Sequence, residues 1–261
     1  MSRTIDHSPA QRRPVALVTG SSRGIGRAVA SRLARDGALV VVHYATGAAD
    51  AEAVVREIEG EGGQAFTVGA DIGSVPAIDA MFAAIDAELA RRQSAHRIDV
   101  LVNNAGILIG GPLETVDEAT YDRLFATNMK GPFFVTQRAA ERMETGGRII
   151  FLSSLTAVRA IPTRPLYGAT KGAINSLTLA LAQHLGPRGI TVNAIMAGTT
   201  RTDGAQKALA KPEVEERVAA QIAAGRIGEA EDIADMVAAL ASHDARWSTG
   251  QCIAVTGGQQ L

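Results

Sequence analysis

Tyr167 and Lys171 stand four residues apart in the segment Tyr167-Gly168-Ala169-Thr170-Lys171, and Ser154 lies thirteen residues before the tyrosine. If the segment is helical, the two side chains share one face, because positions i and i+4 are neighbours there. A phenol beside an ammonium is a candidate proton donor. Free tyrosine and lysine titrate near ~10 and ~10.4. A unit charge about 4 Å away at an effective dielectric of about 20 is worth about 4 kcal/mol. That could lower a phenol by roughly 3 pKa units, toward the range where general acid–base catalysis is most efficient. The same spacing also describes an ordinary surface pair, so the surroundings decide.

Short β-type runs recur at Val15–Thr19, Leu39–Val42, Phe66–Val68, Val100–Val102, Arg148–Leu152, Thr191–Ile195 and Ile253–Val255. They are apolar without alternation, as strands buried on both faces are, which predicts a parallel sheet covered by helices. Helical periodicity lies between them: Ile25, Val29 and Leu33 before Gly37; Met81, Ile85 and Leu89; Ile174, Leu177, Leu181 and Leu185. Alternating strands and helices predict an α/β fold, a single-domain doubly wound (Rossmann-type) parallel sheet of about seven strands with helices on both faces. Residues 14–261 form that domain, and residues 1–13 read as a flexible tail. The stretch after Gly198 is expected to act as a lid over about 199–224.

The 261 residues are 46% hydrophobic and 20% charged, with a net charge of −1. Such a chain has a substantial core and no electrostatic reason to bind nucleic acid or an anionic membrane. One cysteine, Cys252, excludes an intrachain disulfide and is expected to pack as a small hydrophobe. The histidines (His7, His43, His96, His184, His243) show no metal-ligand spacing. No apolar stretch is long enough for a membrane span, and Met1–Arg13 lacks the apolar centre of a signal peptide. A cytosolic, metal-free protein is the expectation.

The first strand runs into Thr19-Gly20-Ser21-Ser22-Arg23-Gly24-Ile25-Gly26 and then into a helical pattern. Glycines let the backbone approach a pyrophosphate, and the helix N-terminus supplies free N–H donors, so this placement predicts a dinucleotide site. The second strand ends at His43-Tyr44-Ala45-Thr46-Gly47, with no acid before Asp50 to bind a free ribose. Arg23 could instead face a 2′-phosphate, although a solvated loop arginine is the plain alternative. NADP(H) is favoured over NAD(H).

Together these pieces resemble the short-chain dehydrogenase/reductase family over nearly the whole chain. Thr19-Gly20-x-x-x-Gly24-x-Gly26 is similar to its cofactor motif, and Asn103-Asn104-Ala105-Gly106 to its Asn-Asn-Ala-Gly motif. Asn128, Ser154, Tyr167 and Lys171 fall where its catalytic tetrad is expected. The C-terminal segment, from Gly225-Arg226-Ile227-Gly228 to Gly257-Gly258, is similar to members near the 3-oxoacyl-carrier-protein reductases.

The resemblance implies that Tyr167 is the proton donor and that Lys171 tunes the phenol and binds the nicotinamide ribose. Ser154 would hold the substrate oxygen, with neighbouring Ser153 a rival. Asn128 would kink its helix and carry a water of a proton relay. Cofactor contacts are expected from Gly20, Ser22, Arg23, Gly24, Ile25, Gly26, Tyr44, Thr46, Asp71, Asn104, Ala105, Gly106, Gly198 and Thr202, shared with Tyr167 and Lys171. Loop capping explains Asp71 nearly as well. Ala197 stands where the family has proline, which puts the rigidity of that loop in doubt. Arg201 either meets an anionic substrate or is solvated.

The resulting expectation is NADP(H)-dependent hydride transfer between nicotinamide and a fairly apolar carbonyl or secondary alcohol, in a homotetramer. An NAD-dependent alcohol dehydrogenase and a non-catalytic dinucleotide-binding regulator are the alternatives.

Overall fold

The valine- and isoleucine-rich runs form seven parallel strands in a computed structural model, which describes residues 13–94, 97–203 and 211–259. They are β1 (Val15–Val18), β2 (Leu39–Tyr44), β3 (Gln64–Gly69), β4 (Val100–Asn103), β5 (Arg148–Ser154), β6 (Thr191–Ala197) and β7 (Cys252–Val255). Their order in the single sheet is β3-β2-β1-β4-β5-β6-β7. The expected tail, apart from Arg13, and residues 204–210 of the expected lid lie outside the described residues.

Burial on both faces accounts for the continuous apolar runs. Leu17, Leu101 and Phe151 point into one core layer, while Ala16, Val102 and Ile150 point into the other. The first layer is closed by α3 (Val75–Arg91), α5 (Gly131–Glu141) and α6 (Pro165–Leu185). The second is closed by α1 (Gly24–Arg35), α2 (Ala48–Gly60) and α8 (Ala230–Ala241). Two shorter helices, α4 (Glu118–Phe125) and α7 (Pro212–Ala219), lie outside these layers. Helix α1 stops where the sequence predicts: Gly37 has φ 99°, and the amides of Gly37 and Ala38 close on Ala34 and Leu33.

Several strands run beyond their apolar segments. β2 continues through His43 and Tyr44, β4 through Asn103, and β5 through Ser153 and Ser154. The ladder belongs to the backbone, so pairing persists where the side chains turn polar. Strand order reverses between β1 and β4, and in such sheets the crevice at the carboxyl ends beside the reversal takes the ligand. Among the described residues, no helix is long and apolar enough to cross a membrane.

Candidate active site

The chain leaves β1 through a loop with no room for side chains. Gly20 has φ 64°, a left-handed conformation that glycine adopts without steric cost. A Cβ there would stand 2.8 Å from Ala105 Cα, and one on Gly26 would stand 2.9 Å from Ser21 Cα. The first N–H groups of α1 have no acceptor within the helix, and no side chain caps its start at Arg23. A backbone cradle at the positive end of a helix fits a pyrophosphate.

Polar side chains pin this cradle from below. Thr19 Oγ1 accepts from the amides of Asn104 and Ala105, each at 3.0 Å. Asn104 Nδ2 donates to the carbonyls of Thr19 and Gly20, each at 2.9 Å. The Asn104 side chain therefore shapes the loop. On the far side, the Gly20 amide donates to His43 Nδ1 at 2.9 Å, and His43 Nε2 lies 3.1 Å from the Ala70 carbonyl.

At the end of β2 the Tyr44 ring packs on Gly69, whose added Cβ would lie 2.9 Å from it. Thr46 is exposed, and so is Arg23, for which the described residues provide no ion pair. Asp71 Oδ1 accepts from the Gly73 amide at 2.9 Å, the capping contact weighed from sequence.

The tetrad residues lie at the end of β5, on α6 and in the turn between α4 and α5. Ser154 ends β5 beside the Tyr167 phenol, whose pKa it lowers, and its hydroxyl accepts from the Thr156 amide at 3.2 Å. Ser153 instead donates to the Lys171 carbonyl at 3.3 Å and is buried. Of the two serines, Ser154 is the one beside the phenol.

Helix α6 carries Tyr167 and Lys171 on one face, with Lys171 Nζ 5.7 Å from the phenol ring centroid. That nitrogen donates to the Leu152 carbonyl at 2.7 Å. The expectation that Lys171 lowers the phenol is corrected. Burial pushes the Tyr167 pKa up, with Ser154 and Arg164 opposing it more weakly. Lys171 itself is brought down to about 8 by burial. The ammonium stands over the ring face and donates to a carbonyl, and desolvation wins over attraction.

Asn128 sits in a π-helical turn (Ala126–Lys130) between α4 and α5, the expected kink. Its Oδ1 accepts from the Ile107 amide at 2.8 Å, and its Nδ2 donates to the Ile107 carbonyl and Thr170 Oγ1. Gly106 lies between the two groups: a Cβ there would stand 3.3 Å from Asn128 Oδ1 and 3.7 Å from Lys171 Nζ.

The loop after β6 is tied down despite Ala197. Gln259 accepts from the Thr199 amide at 2.8 Å and donates to Thr199 Oγ1 at 2.9 Å, while Gly228 exchanges backbone bonds with Thr199 and Arg201. Arg201 pairs with Glu215 of α7 and with Glu229. Its guanidinium is exposed, as the solvated reading expects, and carries these two surface pairs. A Cβ on Gly24 would be 3.5 Å from Thr202, which brings the loop after β6 against the glycine loop, and one on Gly198 would press on Thr256 at 2.8 Å.

Sequence reasoning missed His43 and Gln259. A polar residue breaking the valine run of β2 was a usable signal for His43; Gln259, far along the chain, offered none.

A family model described as enoyl-(acyl carrier protein) reductase matches residues 20–260. The chain is a short-chain dehydrogenase/reductase. A hydroxynaphthalene reductase-like protein of Metarhizium brunneum is 38% identical over 256 residues, covering 94% of each chain. Among solved structures, the promiscuous reductase LugOII, which catalyses keto-reduction at C1 during lugdunomycin biosynthesis, is 45% identical with a TM-score of 0.92, over 96% of this chain and 99% of its own. The angucycline C-6 ketoreductase LanV, solved with bound NADP, is 46% identical with a TM-score of 0.90, over 95% and 96%. As a member of this family the chain is an NAD(P)-dependent oxidoreductase.

Proposed function

We propose that this enzyme is an NADP(H)-dependent ketoreductase acting on fused-ring aromatic ketones, with Tyr167 as general acid. The observation that carries the reading is the convergence of Ser154, Tyr167 and Lys171 beside the glycine cradle at one edge of the sheet. Gly20, Ser22, Gly24, Ile25 and Gly26 would hold the pyrophosphate. Arg23, Tyr44 and Thr46 would meet the 2′-phosphate side of the adenosine, Asp71 the adenine, and Asn104 through Gly106, Gly198 and Thr202 the nicotinamide end. When bound, the nicotinamide supplies hydride to the carbonyl carbon.

Ser154 hydrogen-bonds the substrate oxygen and fixes its position. Tyr167 gives that oxygen its proton as negative charge develops there. Because burial holds the phenol above its ordinary range, it carries that proton at neutral pH, the state reduction requires. Lys171, with a pKa of about 8, remains mostly cationic at neutral pH and would hold the nicotinamide ribose. Asn128 holds the Ile107 backbone and the π-helical turn in place behind Lys171.

Support for an apolar ring substrate comes from the loops above the tyrosine. Leu108 is 51% exposed and Val158 is 60% exposed, alongside Ile107, Ile109, Leu155 and Ile161. Relatives named for hydroxynaphthalene and angucycline reduction point the same way. Residues 199–224 serve as the lid in this reading. A cytosolic homotetramer accords with β7, an outer strand whose residues are only partly covered, and with Trp247, which is 96% exposed nearby.

The test is NADPH oxidation followed optically across tetralones, hydroxynaphthalenones, β-ketoesters and β-ketoacyl thioesters. Fused-ring ketones should have the highest kcat/KM. A thioester that outperforms them about a hundredfold overturns the substrate assignment.

A further inference from the structure

His43 is buried to 1% exposure at the end of β2, where every other inward position of the strand is aliphatic. Its imidazole has two backbone partners of fixed polarity. The Gly20 amide, 2.9 Å from Nδ1, can only donate, and the Ala70 carbonyl, 3.1 Å from Nε2, can only accept. The ring must therefore be neutral, with its proton on Nε2. His43 also uses its own backbone, donating to Ser21 Oγ at 3.0 Å and accepting from the Ser21 amide at 2.9 Å.

We propose that His43 is a positioning residue of the dinucleotide site, its Nε2-protonated ring holding the glycine loop and the end of β3 at the separation the cofactor requires. The two segments it joins are the walls of one end of the crevice: Gly20 belongs to the pyrophosphate cradle, and Ala70 precedes Asp71. Gly20 is then gripped on both sides, its N–H by His43 and its C=O by Asn104. A residue in the left-handed region has many alternatives once released, and both bonds work against them.

The ionisable neighbours on the elements around the ring are Asp71 after β3, Arg23 in the glycine loop and Tyr44 on β2. Asp71 favours the protonated ring, yet burial outweighs it and brings the pKa to about 4. The ring therefore stays neutral throughout the working pH range, as a fixed strut must.

The inference rests on the reading of the glycine loop as the NADP(H) site, and the experiment separates the two. NADPH affinity and steady-state kinetics are measured for the wild type, His43→Leu and His43→Asn. Leucine removes both bonds; asparagine offers Oδ1 to Gly20 in place of Nδ1. His43→Leu should raise the NADPH Kd and KM about tenfold or more, with kcat at saturating NADPH within about twofold. His43→Asn should recover most of that loss.

A parallel measurement needs no variant: 15N spectra of histidine-labelled wild type should contain one imidazole with an unprotonated Nδ1 that does not titrate between pH 7 and about 5. Unchanged NADPH binding in His43→Leu, a loss confined to kcat, or a His43 ring titrating near its ordinary 6.5 overturns the inference. If His43→Leu does not fold, the asparagine variant and the spectra decide. Wild type that binds neither NADPH nor NADH overturns the cofactor reading together with this one.

Discussion

Around the glycine loop four polar side chains are committed to its backbone. Thr19, Asn104, Ser21 and His43 each hold its backbone, and Gly20 and Gly26 leave no space beneath it. The loops over Tyr167 are built otherwise. They join through few bonds, such as the Gly111 amide to the Thr163 carbonyl at 2.8 Å, and leave Leu108 and Val158 exposed. The contrast matches two kinds of ligand. A dinucleotide is the same in every turnover and is met by fixed backbone, whereas apolar loops shape themselves to a substrate largely through area. Losses on the cofactor side should therefore be sharp, and changes on the substrate side graded.

Four experiments probe that contrast. Ser154→Ala should lower kcat by about a hundredfold or more, the scale of losing a positioned donor to a developing oxyanion. It should leave NADPH affinity unchanged, and an equal loss in both would merge the two regions into one. Arg23→Ala should raise the KM for NADPH by about tenfold to a hundredfold, the value of a charge-assisted contact, with little change for NADH. Equal loss for both cofactors removes Arg23 from the 2′-phosphate.

Third is pH. In the proposed mechanism reduction uses a protonated Tyr167 and a cationic Lys171, and burial raises the first pKa and brings the second to about 8. Reductive kcat/KM should be flat through neutrality and fall as pH passes about 8; a rate that rises there contradicts these assignments. Smallest is Val158→Ser at the crevice mouth, which should raise the KM for a fused-ring ketone a few-fold, in proportion to about 1 kcal/mol of lost apolar contact.

His43 adds a stability signature. Its pKa falls from 6.5 unfolded to about 4 folded, so its contribution is present above pH 6.5 and is lost as pH falls toward 4. Denaturant titrations should find wild type losing up to about 3 kcal/mol over that window relative to His43→Asn. Equal pH dependence in the two proteins contradicts a neutral buried ring.

The sheet was legible because strands covered on both faces must be apolar throughout, and helix faces such as Met81, Ile85 and Leu89 repeat with the helical period. Strand ends were misjudged wherever the chemistry sits: Ser154 and Tyr44 continue ladders that the apolar pattern abandons two residues earlier. Spacing favoured Ser154 over Ser153, and in the fold Ser153 is buried and turned to the Lys171 carbonyl. The direction of the phenol's pKa was not readable. It depends on how deeply the ring is buried and on Lys171 turning to the Leu152 carbonyl, facts of packing rather than of spacing. Gln259, which ties Thr199 across the sheet edge, is likewise visible only once the chain is folded.

The central claim is that Tyr167 delivers the proton. Single-turnover NADPH oxidation with a fused-ring ketone, in wild type and Tyr167→Phe, tests it directly, with NADPH binding followed by its fluorescence. Phenylalanine keeps the ring and loses the proton. NADPH affinity should stay within about twofold while the rate of oxidation falls by about a thousandfold, within the span attributed to a positioned general acid. A Tyr167→Phe enzyme that turns over within tenfold of wild type would contradict the account.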